Sequence, residues 1–388
     1  MIKYNAIGMI IFNNPLYLVG ACLSAWTHRK FIEKYSLDIK LIVMINEPIS
    51  EYEEDLKKYF DIVSIIKLRE MKLHPNYFVI KKYSEWMKYS ITKWEIFNYE
   101  EFDKILFIDI DILPIKKEFY NVFNYDTPAI IVKGINYINS GILKKKNFLK
   151  ENYIKEYSEK KINNDEYWNL SNKLEKSLDA GFVLISPNKK IFEEYIQFLQ
   201  ICEGKSGFIS KYDSGVDETT LLFFLVFYKN LKVNLIPYNY APIPWEKNPY
   251  DKNEVKGINF LSMVKPWVKL PLIQFPEENI WHKIAKKALE IHSDVTKIYV
   301  KCLIDELYKF YYGWKNGAFG KNPPYNTECL KSDNLKKKTL KLFDYLEVNP
   351  REKLSFEQIK YIINETVKIN GGMKKNVIIK MNELEKFI

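Results

Sequence analysis

The stretch that most constrains this chain is Phe102-Asp103-Lys104-Ile105-Leu106-Phe107-Ile108-Asp109-Ile110-Asp111, an apolar run ending in two aspartates one residue apart. β-Branched and aromatic residues suit a pleated, buried strand. In an extended chain, side chains at i and i+2 point to the same side. Asp109 and Asp111 can therefore offer hard oxygen ligands to one divalent cation at the strand's end. Mg²⁺ or Mn²⁺ held by one or two carboxylates completes its shell with substrate phosphates. An Asp-x-Asp pair after a strand also serves as a plain turn or a helix cap, so both readings stand at this point.

The surrounding pattern places that strand in a sheet. Ala6–Phe12, Ile39–Ile45, Asp61–Leu68 and Lys104–Ile108 read as strands. Helical spacing runs between them, from Leu16 to Tyr35, over Glu51–Tyr59, and over Glu85–Asn98 with Trp86, Tyr89, Trp94 and Phe97 on nearby faces. Strands alternating with helices predict an α/β fold, a mostly parallel sheet flanked by helices. Ligands of such sheets bind beyond the carboxyl ends of the strands, where Asp109 and Asp111 lie. Ala129–Val132, Leu178–Ser186 and Leu231–Pro237 continue the sheet, with helices Lys189–Cys202 and Asp217–Tyr228. A polar insertion over 133–176, carrying Tyr153, Tyr157, Tyr167 and Trp168, connects two site-bearing segments and is expected near an acceptor site. The pattern changes near residue 279. Residues 1–278 are therefore read as the main domain and 279–388 as a helical C-terminal extension.

Composition narrows the partners. With 47% hydrophobic and 15% aromatic residues, the 388-residue chain can build a sizeable core. Its 59 basic and 49 acidic residues give a formal charge of +10, which favours nucleotide phosphates, acidic membrane surfaces or nucleic acid. No nucleic-acid-binding signature accompanies the charge, so nucleic acid is the minority reading. Cys22, Cys202, Cys302 and Cys329 are dispersed and form no metal-spaced pair, as expected of reduced thiols in a cytoplasmic protein. Ala6–Phe12 is too short to span a bilayer, and no other segment reads as transmembrane. The C-terminal aromatics, among them Trp281 and Tyr299, are expected to pack inward. Lys336-Lys337-Lys338 leaves a basic face for an acidic polymer or peripheral membrane contact.

Five segments, in order, carry a family resemblance: Asn13-Asn14-Pro15-Leu16-Tyr17, Thr92-Lys93-Trp94, the Asp109-Ile110-Asp111 pair, Asp179-Ala180-Gly181 with Asp213 to Glu218, and Asn259-Phe260 with Lys265-Pro266-Trp267. Over roughly residues 4–270 the chain resembles the glycogenin-like retaining glycosyltransferases of family 8. That resemblance implies a GT-A fold, a UDP-sugar donor such as UDP-glucose or UDP-galactose, catalytic Mn²⁺ or Mg²⁺, and a glycan, protein or lipid acceptor hydroxyl. It assigns Asp109 and Asp111 to the metal and the donor's ribose and diphosphate, with Ile110 packing near the nucleotide. Asn14 and Tyr17 fall on the uridine. Lys93 falls near the donor sugar and phosphate, and Lys265 on the diphosphate as a compact charge. Asp179 and Gly181 contact the donor or acceptor sugar, Asp217 binds donor-sugar hydroxyls, and Glu218 faces the anomeric carbon.

The chain departs from the family at one ligand. Asn259 stands where the family's third metal ligand is a histidine. An amide oxygen suits Mg²⁺ or Mn²⁺ but is a poorer donor than imidazole to later transition metals. Of the histidines, His28, His74, His282 and His292, none matches that place, and all are read as ordinary surface or core residues. Retention is usually ascribed to front-face attack aided by the leaving diphosphate. Asp179 and Glu218, in place of amides, keep a double displacement through a carboxylate open. Rival readings are a nucleotidyltransferase, a degenerate donor-binding scaffold, and a transferase acting on a modified nucleic-acid base.

Overall fold

The computed structural model describes residues 4–71, 86–132, 178–203, 216–229, 231, 233–243, 252–261, 265–268, 278–288 and 333–349, with scattered positions at 295–305 and 355–368. Strands β1 (Tyr4–Ile11), β2 (Ile39–Ile45), β3 (Ile62–Ile65), β4 (Phe102–Ile108), β6 (Ala129–Val132), β7 (Leu178–Ile185) and β8 (Asn234–Ile236) form one sheet in the order β3-β2-β1-β4-β7-β6-β8. β5 (Ile112–Pro114) and β9 (Gly257–Asn259) make a separate antiparallel ribbon. In the main sheet only β7 runs against its neighbours. The expected mostly parallel sheet flanked by helices is what folds. The strand order reverses between β1 and β4, so their shared carboxyl edge is a topological switch point.

Both faces of this sheet are covered, which is why its strands read as near-continuous apolar runs. One face presents Ile7, Met9 and Ile11 of β1, Leu41, Val43 and Ile45 of β2, and Leu106 and Ile108 of β4. They pack on helix α1 (Tyr17–Tyr35) through Leu18, Ala21, Cys22 and Ala25. The opposite face presents Ala6, Ile42, Met44, Ile105 and Phe107. These meet Trp94 and Phe97 of a 3₁₀ segment (Ser90–Asn98), helix α3 (Lys189–Glu203) through Phe192 and Tyr195, and helix α4 (Val216–Leu222) through Leu221 and Leu222. Each such buried side chain is worth about 1.5–3 kcal/mol against exposure.

The edges of several elements differ from the sequence reading. The charged helix expected over Glu51–Tyr59 is a 3₁₀ turn (Glu47–Tyr52) opening at Pro48, followed by one turn of α-helix, α2 (Glu53–Leu56). The helix expected over Glu85–Asn98 is 3₁₀ from Ser90. Positions three apart align in a 3₁₀ helix. Trp94 and Phe97 therefore face the sheet together, whereas Trp86 remains 42% exposed. Asp61 does not extend β3. Its carboxylate accepts the Leu41 N–H at 2.8 Å and pairs with Arg29. Helix α4 passes into a π-helical turn over Phe223–Tyr228. The 133–176 insertion lies outside the described residues.

The chain beyond residue 278 shares the α1-side core. Helix α5 (Glu278–Ala288) packs on α1, and Trp281, Ile284, Val295 and Tyr299 belong to that cluster. Helix α6 (Asp333–Val348) joins it through Leu342, Phe343 and Leu346, while Lys336, Lys337 and Lys338 are exposed. Among the described residues, no helix is long and apolar enough to cross a membrane. Trp267 locks the layers together. Its ring stands edge-on to Tyr17 at 5.8 Å, lies 5.8 Å from Trp281, and covers Gly20 of α1. A Cβ on Gly20 would meet that ring at 2.6 Å. Gly20→Ala should therefore cost about 1–3 kcal/mol in urea unfolding, as overpacking of a rigid contact does.

Two core histidines add a pH dependence. His28 bonds Tyr120 Oη at 2.9 Å and His282 bonds Tyr299 Oη at 2.5 Å. Burial pushes each imidazole down to about 3. Both therefore stay neutral in the fold but charge near 6.5 when unfolded. Between pH 6.5 and 3 the unfolded chain binds more protons, so stability falls as pH falls. Going from pH 7.5 to 5 should cost about 2 kcal/mol per histidine in urea unfolding, and His28→Leu should remove one share of that slope.

Candidate active site

The site forms because three connections converge on the carboxyl end of β4. First, β7 runs antiparallel to β4, with Ile108 opposite Phe182, so the start of β7 returns to the point where β4 ends. Asp109 N–H donates to the Gly181 carbonyl at 2.9 Å. A Cβ on Gly181 would sit 2.6 Å from Asp109 Oδ2 and 3.0 Å from Asp179 Oδ1, so only glycine leaves room for both acids. Asp179 Oδ1 also accepts the Gly181 N–H at 2.8 Å.

Second, the β5–β9 ribbon pairs Ile112 with Asn259, and the Phe260 N–H donates to the Asp111 carbonyl at 2.9 Å. Asn259 is thereby brought beside Asp111 across a sequence separation no local pattern encodes. The Ser24 hydroxyl of α1 holds the ribbon in place by donating to the Ile112 carbonyl at 2.9 Å. Third, the 3₁₀ segment delivers Lys93. Its neighbour Trp94 is fully buried and donates its indole N–H to the Asp217 carbonyl at 3.3 Å, which ties α4 to the same place.

Charge at this edge is concentrated and internally paired. Asp111 is 1% exposed, and Asp179, Asp217 and Glu218 are likewise buried. The Lys93 ammonium pairs with Asp217 Oδ2 and lies 3.8 Å from Asp109 Oδ1. Burial works against its charge, but Asp217, Asp109 and Glu218 outweigh it and hold Lys93 protonated, above its usual range. Lys265 pairs with Asp111 Oδ2, and the same contest ends the same way through Asp111, Asp109 and Tyr17. Asp109 is more open, its side chain 40% exposed to solvent yet crowded by protein. That crowding pushes its carboxyl up to about 6, with Lys93 opposing and Asp111 and Asp179 assisting.

Two buried oxygens stand out. Among the described residues, Asp111 Oδ1 and Asn259 Oδ1 have no hydrogen-bond partner, and both residues are almost fully buried. Leaving such acceptors bare is costly, and with Asp109 they are hard-oxygen donors at this edge, a type that suits Mg²⁺ or Mn²⁺. Among the described residues, no group of three or more His, Cys, Asp or Glu side chains could hold a metal.

The remaining expected residues take defined places. Asn14 lies past the end of β1, on the same sheet edge, with its Oδ1 accepting the Leu16 N–H at 3.0 Å at the start of α1. Tyr17 sits against Trp267 and raises the Lys265 ammonium electrostatically. Ile110 turns its side chain into the core. Asp217 and Glu218 lie in the first turn of α4, but the Asp217 carboxylate is engaged by Lys93. Asp213 lies outside the described residues. Asn46 is a site-edge residue that sequence reading missed. It accepts the Asn13 N–H at 3.0 Å and donates to Asn13 Oδ1 at 2.7 Å, clamping Asn13 at φ 59° between the ends of β1 and β2. A polar residue directly after β2 was the only available signal.

No protein-family model matches the chain, and no curated protein matches it in sequence. Among solved structures it is similar to the glycosyltransferase GlyE of Streptococcus pneumoniae TIGR4, at 13% identity over 80% of this chain and 64% of that one, TM-score 0.42. It is also similar to the galactosyltransferase LgtC in complex with donor and acceptor sugar analogues, at 15% identity over 68% and 89%, TM-score 0.39. A third is mouse xyloside xylosyltransferase 1 in its apo form, at 12% identity over 67% and 98%, TM-score 0.33. The chain spans less than two thirds of GlyE's length. These likenesses are too distant to carry chemistry, which rests on the site itself.

The Lys93–Asp217 pair is open to direct measurement. Removing one partner of a buried ion pair strands the other charge and costs about 3–5 kcal/mol. Asp217→Asn and Lys93→Met should each be destabilising on that scale, and the double variant much less than their sum, in a double-mutant cycle by chemical unfolding.

Proposed function

We propose that this chain is a metal-dependent retaining glycosyltransferase that moves a hexose from a UDP-sugar to an acceptor hydroxyl on a glycan, protein or lipid. The observation that carries the reading is the pair of buried oxygens, Asp111 Oδ1 and Asn259 Oδ1, left without a partner among the described residues at the switch point of an α/β sheet where Asp109 also lies. A hard cation there answers both orphaned acceptors, and a diphosphate is the ligand that such a cation, held by few protein groups, takes as its complement.

In this reading Asp109, Asp111 and Asn259 hold the metal, which when bound stabilises negative charge on the departing diphosphate. Lys265 and Lys93, both kept cationic, offer further stabilisation of that charge. Asp217 is oriented by Lys93 and Asp179 by the Gly181 N–H, so each carboxylate has a fixed direction for binding sugar hydroxyls. Glu218 is buried next to them. Asn14 and Tyr17 line the β1 side of the crevice, where a nucleoside base would lie.

The test is UDP release from a panel of UDP-sugars with Mn²⁺, Mg²⁺ or EDTA. Turnover of one sugar that needs the metal and falls by about a hundredfold or more in Asp111→Asn is the expected result. Equal turnover in EDTA, or none with any UDP-sugar and no UDP binding, contradicts the reading.

A further inference from the structure

The two oxygens of Asp111 have different fates. Oδ2 carries the Lys265 ammonium, whereas Oδ1 is buried without a partner among the described residues, as is Asn259 Oδ1. Lys265 is thus the cation that presently offsets a carboxylate only 2% exposed at its side chain. Resting on the donor reading above, we propose that Lys265 is a resident cation that occupies Asp111 until a diphosphate draws it away. A divalent metal then binds this site tightly only together with the diphosphate.

The argument is one of competition for a single carboxylate. An ammonium and a divalent cation on the same buried group repel one another strongly, because the surroundings screen them little. Metal arriving alone at Oδ1 meets the ammonium held on Oδ2 of the same carboxylate, while the lysine has nowhere favourable to go. Burial disfavours a stranded charge there, and the other carboxylate that the lysine senses, Asp109, is itself needed by the metal. A diphosphate removes the conflict by supplying anionic oxygens to the lysine and to the metal at once. Binding of the two is then positively coupled, and by linkage each strengthens the other equally.

The fold supports a swing of the side chain alone. Its root is fixed, because Pro266 restricts the backbone and Trp267 is pinned between Gly20, Tyr17 and Trp281. The flexible four-carbon stem and compact ammonium of lysine can nonetheless move between two anions. Lys93 does not share this role, since its pairing is with Asp217 and Asp109 rather than with Asp111.

The experiment is Mn²⁺ binding to the full chain, read from the spin-resonance signal of free aqueous Mn²⁺, with and without UDP. Wild type, Lys265→Met and Lys265→Arg are compared, with Lys265→Gln replacing the Met variant if thermal melting shows that it does not fold. Removing the charge should raise affinity for Mn²⁺ alone by about tenfold or more and abolish most of the gain from UDP. The arginine variant, which keeps the charge, should stay as weak as wild type for Mn²⁺ alone. Unchanged or weaker Mn²⁺ binding in both neutral variants, while wild type still binds UDP with Mn²⁺, overturns the resident-cation role and leaves the donor reading intact. Failure of wild type to bind UDP under any metal condition overturns the donor reading, and this inference with it.

Discussion

Two buried ammonium groups balance the acidic edge of the sheet, and the site depends on that balance. Asp111, Asp179, Asp217 and Glu218 are buried within reach of Asp109, an arrangement that self-repulsion and desolvation would otherwise disfavour. Lys93 answers Asp217 and Asp109, and Lys265 answers Asp111. The pairings leave the carboxylates oriented and close together. Among the described residues they also leave Asp111 and Asn259 one unused acceptor each, which the proposed reading gives to a hard cation.

The scaffold delivers these groups from segments far apart in sequence through rigid elements rather than long loops. A lone antiparallel strand returns Asp179 and Gly181 to the end of β4. A short ribbon carries Asn259 to Asp111, and one α1 hydroxyl anchors that ribbon. Trp267 then fastens the Lys265 segment to α1 and to α5. The C-terminal helices are thus built into the core that positions Lys265.

Much of this was legible in the sequence because the signals are local. Strands buried on both faces read as apolar runs, and β2 was bounded at Ile39 and Ile45 as found. The Asp-x-Asp pair was visible as carboxylates ending such a run. Asn259 was read as a metal ligand only through family resemblance; the β5–β9 register pairs it with Ile112, one residue from the Asp111–Phe260 contact. Less legible were features set by tertiary context. The 3₁₀ geometry of Ser90–Asn98 shows no period that distinguishes it from an α-helix over so few residues. The Asn13–Asn46 clamp joins residues 33 apart through side-chain amides, and the Lys265–Asp111 pair spans 154. A lysine read from its motif as a phosphate ligand gave no hint that it would pair with Asp111.

The central claim is that Asp109, Asp111 and Asn259 form one hard-metal site facing a nucleoside diphosphate. Its most direct test is an anomalous difference map at the manganese edge, from crystals grown with UDP and Mn²⁺. The account predicts a single strong peak within bonding distance of Asp111 Oδ1 and Asn259 Oδ1, with the diphosphate on its far side. UDP bound at the carboxyl edge of the sheet with no peak there, or a peak that avoids both oxygens, would contradict it.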